Sequence, residues 1–252
     1  MSFHVKAADG VGRLTLDDPP HNILTRAAMA ALRAGLRELA GQDDLRVAVL
    51  EARGPHFSVG ASVPEHLPPE HGEMIPEFGR TILDLLTFPL PLVAAVRGRC
   101  LGGGFEVALA ADLVVAAEGA EFALPEIRLG VIPPAACALL DDQGHRGAVT
   151  ELLFSGDGLD ATAAREAGLV HRVVPDDDLE ALVDEMAARI ARNSGAALRA
   201  AKEARIRTRR PLWEERLRAA EEVYLDELMH TADALEGLTS FTEKRRPQWS
   251  HR

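Results

Sequence analysis

The sequence predicts an α/β fold that ends in an all-helical region. Short apolar runs at residues 11–16, 46–51, 92–96 and 113–116 alternate with stretches of helical periodicity through the first half of the chain. That order is expected of a sheet built from strand–helix units. From Asp178 onward, residues 179–192, 196–208, 212–229 and 231–246 read as helices with no strand between them. With 47% hydrophobic residues in 252, the chain can bury a sizeable core and fits one large domain, or one domain with an appendage. A boundary is expected near Gly195, giving a core over 1–195 and a helical region over 196–252. Because that tail is partly apolar, it is expected to pack against another subunit.

Each element follows from its residues. Residues 11–16 alternate as VGRLTL and read as a strand, ended by Asp17-Asp18-Pro19-Pro20. Thr25 stands where a helix N-cap is needed. After it Met29, Leu32, Leu36 and Leu39 fall on one helical face, and Gly41 closes the helix. RVAVLE at 46–51 is a second strand, RGPHFSVGAS at 53–62 a glycine-bearing loop, and 64–72, rich in Pro, Glu and His, a mobile loop. A helix is expected over 75–87. LVAAV at 92–96 is short, apolar and stopped by Arg97-Gly98, as a buried strand would be. Residues 113–116 form another strand, and a helix begins near Gly147 and runs to Ser155. Asp160 caps a helix over 161–166 that Gly168 ends, and 169–174 is a strand closed by Pro175. Asp112 is expected to cap or pair.

The stretch 97–112, RGRCLGGGFEVALAAD, carries the chemistry. Gly102, Gly103 and Gly104 open onto residues 105–111, which have almost no polar face and read as a short buried helix. A glycine turn feeding a helix leaves backbone N–H groups unpaired at the helix start. Without Cβ atoms these can approach a ligand closely, and they sit at the positive end of the helix dipole. The phosphate-binding motifs GxxxxGK[ST] and GxGxxG are both absent, so the turn suits an oxyanion. Glu106, one helical turn from Gly103, is expensive to bury in so apolar a segment. It serves either as an acid/base beside an oxyanion site, or as a solvent-facing residue of a tight packing turn.

Glu126, in EFALPEIRLGVIPP, is a second carboxylate in apolar surroundings. Two carboxylates sharing a site repel, so one is pushed toward the protonated form while the other stays ionised. That is the arrangement for adding or removing water across a double bond. Alternatively, Pro125-Glu126 begins a helical turn, where acids are favoured. Gly60-Ala61 offers either a second loop N–H facing the glycine turn or an ordinary connector.

Composition narrows the function. A net charge of −11, from 28 Lys and Arg against 39 Asp and Glu, speaks against phosphate contacts to nucleic acid. It leaves room for a small anionic ligand held by local cations. Cys100 and Cys137 form no CxxC pair, which points to a reducing cytoplasm. No charge-free apolar run reaches the roughly 18 residues of a membrane span, and MSFHVKAADG lacks the apolar core of a signal peptide. His56, His66 and His71 lie near the first loop, but their spacing fits no ligand pattern and no metal is expected. Neither Ser58 nor Ser62 sits in a GxSxG elbow.

HFSVGAS resembles the first oxyanion segment of the enoyl-CoA hydratase/isomerase (crotonase) superfamily, and LGGGFEVALAADLVVAAEGAEFALPEIRLGVIP its second, with both acidic positions. PHNILTRAAMAALRAGLREL, ELLFSGDGLDATAAREAGLVHRVVP and EGLTSFTEKRRPQW extend the likeness over most of the chain, in the family's order. The resemblance implies a spiral of ββα units with a helical trimerisation tail, in trimers or dimers of trimers. It implies an acyl-CoA thioester as substrate and no separate cofactor, since coenzyme A is part of the substrate. By motif position, the N–H groups of Ala61 and Gly103 would bind the thioester oxygen. Glu106 would activate water and Glu126 would protonate the α-carbon. Ser58, Gly60, Gly102 and Pro133 are carried over as substrate-binding positions. Phe241 and Lys244 match terminal positions that, in the family, reach the CoA adenine end of a neighbouring subunit.

Two retained acids favour a lyase acting on an α,β-unsaturated acyl-CoA. The alternatives are a double-bond isomerase using one acid, and a non-catalytic acyl-CoA- or RNA-binding member of the fold. Two departures bear on the acyl group. The family's GAD is Gly60-Ala61-Ser62 here, and its GxGGTQRL is replaced by PPAACALL over 133–140. FSVGASVPEH with LGVIPPAACALL resembles the cyclohexa-1,5-diene-1-carbonyl-CoA hydratases of aromatic degradation.

Overall fold

The computed structural model describes residues 2–139 and 146–252. Leu140, from the segment that departs from the family pattern, lies outside them. The larger sheet contains β1 (Ser2–Ala8), β2 (Val11–Asp17), β3 (Val47–Ala52), β4 (Leu92–Val96), β6 (Leu113–Ala117) and β9 (Arg172–Val174), hydrogen-bonded in that order. β1 and β2 are antiparallel, and each later pair is parallel. β1 was not expected from the sequence, although its turn is legible: Asp9 and Gly10 both take positive φ, 53° and 79°, as an Asp-Gly hairpin turn requires. The strand expected over 169–174 narrows to β9, because the N–H groups of Leu169 and Val170 turn back to the Ala164 carbonyl.

A second sheet of β5 (Arg99–Leu101), β7 (Glu121–Ala123) and β8 (Gly158–Asp160) was also unforeseen. Its strands span three residues each, too few to display a period. Together the sheets give the ββα order. β4 in the large sheet leads to β5 in the small one and then to α3 (Gly103–Leu109). β6 leads to β7 and then to a 3-10 turn, Pro125–Leu129.

The helices form where the apolar spacing asks for them. α1 (Arg26–Ala40) is capped by Thr25, whose hydroxyl accepts from Ala28 N, and closed by Gly41. In place of the mobile loop expected over 64–72 there is a 3-10 turn, Val63–His66, followed by α2 (His71–Leu86). Glu65 anchors that turn by accepting from Arg26 N at 2.8 Å. α3 begins at Gly103, two residues before the expected start, so Gly103 and Gly104 belong to the helix and Gly102 is its N-cap. α4 (Pro134–Leu139), α5 (Arg146–Ser155) and α6 (Ala161–Glu166) follow, with Asp160 capping α6 as expected. α7 (Leu179–Ala191), α8 (Gly195–Ile206), α9 (Arg210–Glu222) and α10 (Ala232–Thr242) complete the chain. The helix expected over 212–229 is broken: α9 gives way to a π-helical turn, Val223–Glu227, and a 3-10 turn, Leu228–His230.

The sheet is covered on both faces, which explains strands that read as unbroken apolar runs. Val47, Val49, Val93, Ala95 and Val115 pack on Leu179, Val183, Met186 and Ala187 of α7. Ala48, Leu50, Ala94, Val96 and Val114 face the main core with α1 and α2. Leu217, Tyr224, Ala234 and Leu238 from the C-terminal segment join that main core. Asp112 ties α8 to the sheet: its carboxylate accepts from Leu92 N at 2.9 Å, Lys202 Nζ at 2.5 Å and Arg205 Nη1 at 3.1 Å.

Candidate active site

Two loops meet at the ends of β4 and β5. The first is threaded along β5: Phe57 N donates to Arg97 O, Ser58 N to Arg99 O, and Leu101 N to Ser58 O. Gly60 takes φ 110° and comes so close to β5 that a Cβ there would lie 3.1 Å from Leu101 O. Only glycine holds that conformation without strain. The bridge between Leu24 and Ala61 runs through Gly60 O and Ser62 N. The Ala61 N–H therefore has no acceptor among the described residues. The second loop turns at Gly102, φ 52°, where a Cβ would overlap the Glu126 carboxyl. Gly103 opens α3, so its N–H has no intrahelical acceptor. The two amides are neighbours: a Cβ on Gly103 would come within 3.3 Å of Ala61 N, and one on Gly60 within 3.8 Å of Gly103 N.

Beside these amides lies a cavity of about 510 Å³. Gly60, Ala61, Gly102, Gly103, Glu106, Glu126 and Pro133 all line it, with Met74, Ile75 and Phe78 from α2 and Leu238 and Phe241 from α10. Of the residues singled out from the sequence, Ser58 stands apart. It is fully buried, its hydroxyl donates to Asn22 O at 2.8 Å and accepts from Gly60 N at 3.2 Å, and it does not line the cavity. Ser58 shapes the loop from outside the cavity lining. Lys244 is exposed and does not line the cavity either, whereas Phe241 lines the cavity of its own chain.

The two acids are both buried, which rules out the solvent-facing reading of Glu106. Glu106 Oε1 accepts from Ala136 N at 2.8 Å, and Ala135 N adds a second donor. The PPAA segment thus opens a short helix whose first amides hold the carboxylate. Burial pushes the Glu106 pKa up to about 7, with these two N–H groups acting against it. Glu126 sits in the 3-10 turn Pro125–Leu129, closed by Gly130 in the left-handed region. Glu126 therefore begins a helical turn and also lines the cavity. Burial, and then the charge of Glu106, raise its pKa well above the usual carboxylate range, with the backbone N–H groups of Glu126 and Gly103 opposing the shift. Its Oε2 is buried without a hydrogen-bond partner. Two acids that feel each other's charge in one cavity are not both ionised near neutral pH.

Three residues of the site carry weaker sequence signals. Asn22, fully buried at φ 49°, accepts from Asp18 N, donates to Arg53 O and His56 O, and receives the Ser58 hydroxyl on its carbonyl. It holds the first loop, and a lone Asn before an apolar residue was its only trace. His66 lines the cavity and its Nδ1 lies 2.7 Å from the hydroxyl of Tyr224. His56 Nδ1 accepts from Arg99 N at 3.2 Å, a structural role. Among the described residues no group of three His, Cys, Asp or Glu side chains is placed to hold a metal ion.

The family described as enoyl-CoA hydratase/isomerase matches residues 6–252. The chain is 41% identical over 242 residues to the cyclohexa-1,5-dienecarbonyl-CoA hydratase of Thauera aromatica, covering 95% of this chain and 93% of that one. It is 32% identical over 260 residues to the carnitinyl-CoA dehydratase of Salmonella typhi, covering 100% and 99%. The crystal structure of an enoyl-CoA hydratase/isomerase from Pseudoalteromonas atlantica T6c superposes with a TM-score of 0.89 at 29% identity, over 99% of this chain and 100% of that one. Likeness in sequence along nearly the whole length, and in the course of the backbone, leads to one conclusion: the chain belongs to the enoyl-CoA hydratase/isomerase family.

Proposed function

We propose that this protein adds water to, or removes it from, the double bond of an α,β-unsaturated acyl-CoA. The observation that carries this reading is the pair of buried, mutually repelling acids in the same cavity as the neighbouring loop amides of Ala61 and Gly103. In the addition direction, electron density moves from the double bond onto the thioester oxygen. The N–H groups of Ala61 and Gly103 bind that oxygen more strongly as it becomes enolate-like. One such donor is typically worth about 3–4 kcal/mol of barrier, and the N-terminus of α3 adds roughly 0.3–1 kcal/mol. Glu106, the more easily ionised of the two, takes a proton from water. Glu126, held protonated, delivers one to the α-carbon. The thioester is the electron sink, so the reaction as proposed draws on no metal or redox group.

The acyl group is a proposal resting on the 41% likeness to a hydratase of a cyclic dienoyl-CoA and on Pro133 and Pro134 in the cavity wall. Arg99 and Arg128 also line the cavity with exposed side chains, which suits an anionic carrier despite the acidic chain. We further propose residues 196–252 as an oligomerisation region of a homotrimer or dimer of trimers, appended to a core over 1–195. Leu212, Val223, Leu235, Phe241 and Trp249 of that region are large apolar residues left exposed on the single chain, and sedimentation of the protein tests whether copies cover them. No described helix is long and apolar enough to cross a membrane.

The activity is tested with crotonyl-, longer enoyl-, aromatic and cyclic dienoyl-CoA esters in heavy-oxygen water. A hydratase incorporates the label into product. Double-bond migration without label would replace this reading with the isomerase, and a salt-dependent RNA shift with no turnover would replace it with a binding protein.

A further inference from the structure

His66, in the cavity wall, belongs to a polar pair that the two-acid chemistry does not use. His66 ends the 3-10 turn Val63–His66, and its partner Tyr224 comes from the π-helical turn 158 residues later. Such turns are rare and concentrate at functional sites. Tyr224 is fully buried. Burial, and then the charge of Glu126, keep its phenol protonated, which also sets the pair near Glu126. Burial, and then His71, pull the His66 pKa down to about 4, so its ring is neutral. A neutral imidazole has one donor and one acceptor nitrogen. Among the described residues the Tyr224 hydroxyl is bonded only to His66 Nδ1, and a buried O–H needs an acceptor. Tyr224 therefore donates to Nδ1, and the ring proton of His66 resides on Nε2. That Nε2–H is the group left for a ligand, in a cavity whose lining also includes Val63, Met74, Ile75 and Leu238.

We propose that His66 is a specificity-determining residue whose Nε2–H binds the hydroxyl that hydration places on the acyl group, with Tyr224 as the positioning residue that fixes its tautomer. This rests on the acyl-CoA hydratase reading and deepens it. A purely hydrocarbon acyl group leaves the N–H unpaired, and sites built to hydrogen-bond a hydroxyl discriminate against analogues that lack it. The pair therefore makes the site selective for the hydroxylated ester.

The test measures binding of β-hydroxybutyryl-CoA against butyryl-CoA, and of β-hydroxycyclohexanecarbonyl-CoA against cyclohexanecarbonyl-CoA, to wild type and variants. We expect wild type to prefer the hydroxylated member of at least one pair. His66→Phe should reduce that preference, read as the ratio of the two affinities, about tenfold, the worth of one net hydrogen bond. His66→Gln, which keeps an N–H donor, should retain part of it. Nitrogen-15 spectra of labelled histidine should report His66 as the Nε2–H tautomer, and as a mixture in Tyr224→Phe. An undiminished preference in His66→Phe, or an Nδ1–H or doubly protonated ring in wild type at neutral pH, would overturn the proposal alone. Failure of wild type to bind any of the four esters would instead remove the acyl-CoA reading beneath it.

Discussion

Glu106 and Glu126 differ in what holds them, and that difference supports the roles proposed for them. Glu106 receives two amides at the start of α4, while Glu126, held by the N–H groups of Gly103 and its own residue, keeps a buried Oε2 with no partner among the described residues. Glu106 lies two residues past a run of three glycines and Glu126 directly after a proline, and a carboxylate in an apolar run stands out in a sequence. Glu106→Gln and Glu126→Gln should each lower water addition by about 10²-fold or more, in the range of general acid–base groups, with acyl-CoA binding retained. Near-full turnover in either variant would remove that residue's role. The pH profile gives a second check. With the Glu106 pKa raised to about 7, kcat/KM for hydration should climb as pH passes about 7 and the carboxylate forms. A profile flat from pH 5.5 to 8 would contradict that assignment. Ser58, in contrast, looked from the sequence like a ligand contact and is a loop brace, because its neighbour Asn22 is distant in sequence and the bond between them is tertiary.

At the scale of elements, the helices were the more legible parts. Caps such as Thr25 and Asp160 and the apolar spacing of α1 act within a few residues of themselves. The small sheet was not, since its three-residue strands exist only by pairing with one another across the chain. The pairing of His66 with Tyr224 was hidden for the same reason. The glycine turn sits where both kinds of information meet. Its glycines were visible, but the reason for each is tertiary: at Gly102 the neighbour is Glu126, and at Gly104 it is Ser58, whose Cβ would lie 2.6 Å from an added methyl. Gly102→Ala should therefore drive the Glu126 carboxyl aside. We expect kcat/KM to fall by about 10²-fold, comparable to losing an acid–base group, in a protein whose circular dichroism is unchanged. Full activity would mean that the Glu126 carboxyl is not held where the turn requires it.

For the whole molecule, the burial of two carboxyls is a standing cost. In the unfolded chain Glu106 ionises near 4.5, and in the folded protein near 7; Glu126 shifts in the same direction. Between those pH values the folded state holds the extra proton, so stability falls as pH rises through that window. From Glu106 alone the loss is on the order of 3 kcal/mol by pH 7. The Glu106→Gln, Glu126→Gln double variant should accordingly be more stable than wild type at pH 7 by denaturant titration, with the gap closing toward pH 4.5. A gap that did not change with pH would show the pair to be unstrained. The layered α/β plan was legible because both sheet faces are apolar and covered, whereas the second sheet and the path of the C-terminal segment into the main core depended on contacts no local pattern encodes.

The reaction centre is made largely of main chain packed at van der Waals limits around Gly60, Gly102 and Gly104, so it tolerates almost no alteration. The cavity wall also carries side chains from two helices, Met74, Ile75 and Phe78 on α2 and Leu238 and Phe241 on α10. Retargeting this enzyme to a different acid is thus a matter of repainting those two helical surfaces, while the turn that does the chemistry is inherited intact.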